Sequence, residues 1–247
     1  MHPYLPATKL VNRFTPLMDY LSEHTGRDVR IRIGSTYQDH ADAVGGGEVD
    51  IAFFGPGGYV MFSHEHGVPP LLGRLDFGGT STFQGVVVTL KSSPFSTLSD
   101  LKGKRFAFGD PNSTMSSLVP RAMLKQAGVD TTDFASFEHL QNHHNVALAV
   151  MLKKYHAGSV KEEVYREYKA RGLRALAWSP EISSHIFVAS PLLPPEMTAK
   201  LRELFQTIHT DPNSQAILKG IKGKTKRIIP AKDADYETLR KLILSAE

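Results

Sequence analysis

The sequence predicts an α/β protein with mostly parallel sheet, folded as two lobes with a cleft between them and two chain crossings. Three observations predict it. Short apolar strands alternate with amphipathic helices along all 247 residues. Two segments, 78–82 and 179–185, lead straight into strands and read as crossings rather than ordinary connections. About 100 residues separate them, enough for a lobe of their own. Lobe 1 is therefore expected from residues 1–82 and 189–247, and lobe 2 from 83–188. In such lobes ligands bind beyond the carboxyl ends of strands, at helix N-termini.

Taken in order, Pro3, Tyr4 and Leu5 read like the end of a strand. Val11, Phe14, Leu17 and Leu21 then recur at helical spacing, with Gly26 as the stop and Pro16 implying a kink or a shifted start. Residues 29–33 alternate apolar and basic, as a half-buried strand does. A short helix over 38–44 ends at three glycines, 48–54 is a turn feeding a buried strand, and 55–58 opens a helix to about 64. Further strands are predicted near 86–90, 105–108, 134–138, 174–178 and 186–189. Helices are predicted near 117–127, 145–154, 162–171, 195–209 and 236–244.

Composition removes several function classes. Hydrophobic residues make up 41% and charged residues 22%, which excludes a disordered or collagen-like chain. No apolar run approaches the ~18 residues of a membrane span. The absence of cysteine excludes disulfides, thiolate metal sites and a cysteine nucleophile. A net charge of +4 is a mild bias toward anions. It is too small and too scattered for nucleic acid, and the densest basic cluster, 219–227, is followed by Asp233, Asp235 and Glu237. Met1-His2-Pro3-Tyr4 has neither a basic nor an apolar signal region, so no secretory signal is read there. No GxSxG, SxxK, HExxH or phosphate-loop pattern occurs, so neither an enzyme nor a metal site is supported and no cofactor is called for.

The strongest local signal runs from Phe106 to Arg121. A buried strand stops at Gly109, a turn-rich loop follows, and Ser113, Thr114 and Ser116 cluster at a helix start. The first amides of a helix have no partner within it, and the dipole makes that end positive, so added hydroxyls make an oxyanion cradle. The same residues also fit a plain N-cap. The glycines of Phe54-Gly55-Pro56-Gly57-Gly58-Tyr59 permit close backbone approach at Gly57, or simply turn a strand into a helix. His143, at a helix start, is either an anion donor or an exposed capping residue. Tyr37 and Phe83 lie at predicted strand ends, as core or as ligand-facing aromatics.

The order and spacing of these pieces resemble the phosphonate, phosphite and phosphate solute-binding proteins of ABC transporters, which have the type II periplasmic binding protein fold. The resemblance is carried nearly end to end by residues 13–21, Tyr37, 47–56, 100–108, 110–114, 118–121, His143 with 145–150, and Ser179-Pro180. It implies an oxyanion held by Ser113, Thr114 and Ser116, with Met115 where the family has a hydroxyl and Ser116 where it has glycine. It also implies ligand contacts from Tyr37, Phe83 and His143. Glu163 falls where aminoalkylphosphonate binders keep a carboxylate for the ligand's amino group, and His185 falls on the second such position. A histidine cannot replace a carboxylate facing an ammonium group, so the resemblance implies a small phosphorus oxyanion rather than an aminoalkylphosphonate. It further implies a monomer outside the cytoplasm that serves a membrane permease and binds no nucleic acid. The alternative is a ligand-sensing input domain of a membrane signalling protein with the same fold.

Overall fold

In the computed structural model, which describes residues 1–2 and 7–244, the chain passes between two units at 82/83, at 182/183 and again at 236/237. Unit 1 begins with α1 (Ala7–Thr25), α2 (Tyr37–Gly45), β1 (Ile51–Phe54), α3 (Pro56–His66) and β2 (Leu71–Asp76). The two-residue β3 (Thr82–Phe83) leads into unit 2. That unit holds β4 (Gly85–Leu90), β5 (Arg105–Phe108), α4 (Val119–Gln126), β6 (Ser136–His139), α5 (His143–Met151), β7 (Ala157–Lys161), α6 (Glu162–Lys169) and β8 (Leu173–Trp178). The chain returns through β9 (Ile182–Ser183), which pairs with β3. It then adds β10 (Ile186–Ala189), α7 (Pro195–Thr207), α8 (Ser214–Ile221) and β11 (Arg227–Ile229) to unit 1. A last helix, α9 (Glu237–Leu244), belongs to unit 2.

The expected boundaries differ from this division in two places. The return crossing lies between Ile182 and Ser183 rather than at 188/189, because Ile186–Ala189 is an inner strand of the unit 1 sheet. The C-terminal helix, expected in lobe 1, groups with unit 2, where its Leu239, Leu242 and Ile243 are buried.

Unit 1 is built on the sheet order β1-β10-β2-β11, with every pairing antiparallel. Phe14, Leu17 and Leu21, one face of α1, pack with Phe53, Leu75 and Phe187 of the sheet and with Phe205 of α7. Pro16 sits inside α1 without ending it. Gly26 follows with φ 71°, a left-handed residue that stops the helix.

Unit 2 has the order β6-β5-β7-β4-β8. Its central β4 is buried on both faces. Val86 and Val88 join a cluster with Val146, Val150 and Val164, while Val87 faces Phe106, Phe108 and Leu124. That explains why β4 reads as a continuous apolar run rather than an alternation. The expectation of mostly parallel sheet is corrected. β5 is parallel to β6 and β7, but β4 is antiparallel to both β7 and β8. Parallel pairs need a crossover that returns the chain to the same end, and the strands that follow a crossing, β4 and β10, do not arrive that way.

Residues 29–33, expected as a strand, form no sheet ladder among the described residues. Their alternation is real, since Val29, Ile31 and Ile33 pack against the unit 1 core, but their backbone partner is Met1. The strand end expected at residues 3–5 lies outside the described residues.

Candidate functional site

In unit 2 the strand β5 ends at Phe108 and the chain turns through Asp110, which accepts a hydrogen bond from the Asn112 amide at 2.8 Å. A π-helical turn, Thr114–Leu118, then runs directly into α4. Ser113 precedes it in extended conformation, and its hydroxyl makes no capping bond. The plain N-cap reading therefore fails for Ser113. Instead its backbone carbonyl accepts from the amides of Ser117 and Leu118, both at 3.0 Å. Thr114, Ser116 and Ser117 are all buried, and the hydroxyls of Ser116 and Ser117 have no hydrogen-bond partner among the described residues. Buried hydroxyls are normally bonded, so two adjacent exceptions at a helix start mark a place with donors to spare. Gly109 makes this approach possible. A Cβ there would lie 2.1 Å from Ser116 Oγ.

Met115 does not face the cradle as a missing hydroxyl would. Its side chain is buried against Gly85, its sulfur lies 4.0 Å from Ser179 Oγ, and its carbonyl accepts from Ser159 Oγ at 2.9 Å. The same strand, β7, also fixes His143. The Lys161 amide donates to His143 Nδ1 at 3.1 Å, so the neutral ring carries its proton on Nε2. The helix cap at α5 is Asn142, whose side chain accepts from the Asn145 amide at 2.9 Å, so His143 is not the capping residue. Glu163 is exposed and pairs with Lys161 Nζ at 3.3 Å, while its neighbour Glu162 pairs with Arg166. Phe83 is half-buried in β3.

The other sequence-predicted residues belong to unit 1. Tyr37 opens α2 behind the Thr36 cap, its ring 4.8 Å from that of His2. Gly57 is buried in the first turn of α3, where Gly55 and Pro56 start the helix with no side-chain cap. His185 stacks on Phe53 at 5.5 Å. Lys222 Nζ lies 3.2 Å from its Nδ1 and 3.1 Å from its Nε2. An ammonium group only donates, so the ring nitrogen it bonds is the acceptor. Two further histidines lie close by. Burial pushes the His2 pKa down to about 4, against the bond its Nδ1–H donates to the Phe53 carbonyl. Burial, helped by the Met1 ammonium and His2, pushes His40 down to about 2.

The structure thus gathers Ser113, Thr114, Ser116 and His143 around the ends of β5 and β7 in unit 2. Tyr37, Gly57 and His185 are in unit 1. Sequence reasoning missed Ser117 and Lys222. Ser117 is adjacent to the recognised hydroxyl cluster. Lys222 is inside the 219–227 basic cluster, read only as surface charge. Among the described residues no helix is long and apolar enough to cross a membrane.

The family model described as ABC transporter, phosphonate, periplasmic substrate-binding protein matches residues 1–236. The chain is 28% identical to the phosphate-import protein PhnD of Mycolicibacterium smegmatis, over 92% of this chain and 78% of that protein. PhnD1 of Prochlorococcus marinus, solved with methylphosphonate, superimposes with a TM-score of 0.79 at 21% identity, covering 96% of this chain and 93% of that one. A binding-protein component of a phosphonate ABC transporter from Pseudomonas aeruginosa gives 0.78 at 22% identity, covering 99% and 84%. The fold is that of the two-lobed type II periplasmic binding proteins. Members of the matching family are substrate-binding components of transporters, not enzymes. The chain belongs to the periplasmic substrate-binding proteins of phosphonate ABC transporters.

Proposed function

We propose that this protein captures a small, amine-free phosphorus oxyanion, phosphate or a short alkylphosphonate, outside the cytoplasm and as a monomer, and hands it to an ABC permease. The observation that carries the reading is the start of the helix after β5, where two buried hydroxyls have no partner among the described residues. A tetrahedral oxyanion accepts several hydrogen bonds at once. Ser113, Thr114, Ser116, Ser117, the helix-start amides and His143 Nε2–H supply donors of that kind.

The absence of an amino group from the ligand rests on charge. Glu163, the carboxylate available by family resemblance, is engaged by Lys161. The second position holds His185 with Lys222 beside it, so an ammonium substituent would meet a cation there. Thermal-shift and calorimetric titration with phosphate, phosphite, methylphosphonate, sulfate and aminoethylphosphonate test the reading. A phosphorus oxyanion at 100 times its Kd adds about 2.7 kcal/mol of stability, and aminoethylphosphonate at that same concentration adds less. No stabilisation by phosphate, phosphite or methylphosphonate overturns it.

A further inference from the structure

The end of unit 2 away from the cradle gathers positive charge. β5 starts there at Arg105, and α5 finishes there after Met151. Arg105 ties the two together. Its Nε donates to the Lys154 carbonyl at 2.8 Å and its Nη2 to the Lys153 carbonyl at 3.2 Å. The Arg105 amide donates to His156 Nδ1 at 3.0 Å, and Thr89 Oγ1 donates to the His156 carbonyl at 2.8 Å. The start of β7 and the end of β4 therefore lie at the same level. Beyond β4 the Lys91 amide donates to the Gly172 carbonyl at 2.9 Å, next to Arg171. Lys91, Arg105, Lys153, Lys154 and Arg171 are exposed. Among the described residues none of these cations is in an ion pair. Of the carboxylates nearby, Asp133 pairs with Lys102 at 3.7 Å and Asp100 accepts from the amides of Ser96 and Thr97. Glu138 lies against the Tyr155 hydroxyl. Burial, with Arg105 and Lys104 acting in the same direction, lowers the His156 pKa.

The loop that ends α5 forms the crest of this surface. The Lys153 amide donates to the Val150 carbonyl and the Lys154 amide to that of Ala149, both at 3.0 Å, the paired bonds of a Schellman turn. The turn holds Lys153 at φ 59°, a left-handed position where glycine is the usual residue. A lysine there is strained in a way that glycine is not. Just before it Leu152 is 67% exposed, the most of any large apolar residue described in unit 2. Leu148, one turn earlier on the same side of the helix, is also exposed. A soluble anion makes no use of that leucine. A bilayer does, because its headgroups take the cations while an apolar side chain enters the acyl boundary.

We propose that this end of unit 2 docks on an anionic phospholipid surface, with Lys91, Arg105, Lys153 and Lys154 against the headgroups and Leu152 inserted between them. The cradle lies at the other end of β5, so the bilayer and the oxyanion are bound independently.

The test is sedimentation of the 247-residue chain with vesicles of phosphatidylcholine, alone or with about 30 mol% phosphatidylglycerol. The chain is expected to sediment with the mixed vesicles and to stay in solution with phosphatidylcholine alone. It is expected to be released in about 1 M salt, where the Debye length is about 3 Å. Lys153→Gly relieves the left-handed residue and is not expected to lower Tm. It is expected to weaken vesicle binding about fivefold, through the loss of one headgroup cation. Leu152→Ser is expected to weaken vesicle binding at least fivefold while leaving retention on heparin, a soluble polyanion, unmoved. Equal sedimentation with both kinds of vesicle overturns the proposal, as does unchanged vesicle binding in both variants. Vesicle binding that falls with Lys153→Gly but ignores Leu152→Ser assigns the surface to soluble anionic polymers and overturns it too.

Discussion

Ser116 and Ser117 offer a perturbation whose two effects have opposite signs. Both hydroxyls are buried and have no hydrogen-bond partner among the described residues. Leaving a buried hydroxyl unsatisfied costs about 1–3 kcal/mol, so Ser117→Ala should stabilise the ligand-free protein, by about 1 kcal/mol after the lost packing of one oxygen. If the same hydroxyl donates to a bound oxyanion, its removal forfeits a bond to a charged group of about 1.5–3 kcal/mol. That is a 10- to 150-fold rise in Kd. Ser116→Ala should behave alike, with a smaller stability gain because Ser116 packs on Gly109. Denaturant unfolding of the ligand-free protein and calorimetric titration with phosphate and methylphosphonate measure the two quantities. A core role would give the reverse pattern, lower stability with unchanged affinity. That outcome for both serines would refute the cradle.

Three further outcomes are expected. Ser113→Ala should weaken oxyanion binding at least tenfold while costing less than the ~1 kcal/mol of a lost N-cap, since its hydroxyl caps nothing; calorimetry and thermal unfolding check this. For His2 and His40 the folded pKa lies below the unfolded one, so the unfolded chain binds more protons and stability rises with pH. The loss on acidification should begin near pH 6.5 and run past pH 4, with His2 alone contributing about 3 kcal/mol, and urea midpoints of wild type and His2→Phe between pH 7 and 4 should diverge accordingly. His185→Asp alone should leave the ratio of aminoethylphosphonate to phosphate affinity unmoved, because Lys222 would pair with the new carboxylate. The double change with Lys222→Met should raise that ratio at least tenfold by competitive titration.

How much could be read beforehand depended on whether the cause was local. The strand 86–90 was legible because burial on both faces forces an apolar run, and the first helix because Phe14, Leu17 and Leu21 share its buried face, although Val11, read with them, is exposed and Leu10 is buried in its place. β7 was missed, since it begins Ala157-Gly158-Ser159, small residues with little strand propensity. At Gly158 a side chain is excluded, because a Cβ there would sit 2.6 Å from Val146. Residues 29–33 had the right periodicity, but whether a strand finds a backbone partner is not a property of its own residues. At the candidate site the hydroxyl cluster was visible, yet cap and cradle could not be separated until Ser113 was seen to cap nothing. Lys222 was out of reach because it meets His185 only through folding, 37 residues away.

The chemistry of the unit 2 groups bears on selectivity through what each can and cannot do. Backbone amides and the Nε2–H of His143 only donate, whereas a serine or threonine hydroxyl donates or accepts. The Lys161 amide donates to His143 Nδ1, which leaves Nε2 as the ring's donor. Lys161, on the same strand, is already paired with Glu163. On the proposed reading the gathered groups hold the anion by hydrogen bonds and the helix dipole. Phosphate and alkylphosphonates carry a proton on one oxygen over part of the neutral pH range, and a hydroxyl can accept it. Sulfate carries none there, but a hydroxyl can turn and donate to it instead, so amides and hydroxyls alone hold either kind of tetrahedral oxyanion. Separating phosphorus from sulfur needs a group that only accepts, such as a carboxylate, facing the protonated oxygen.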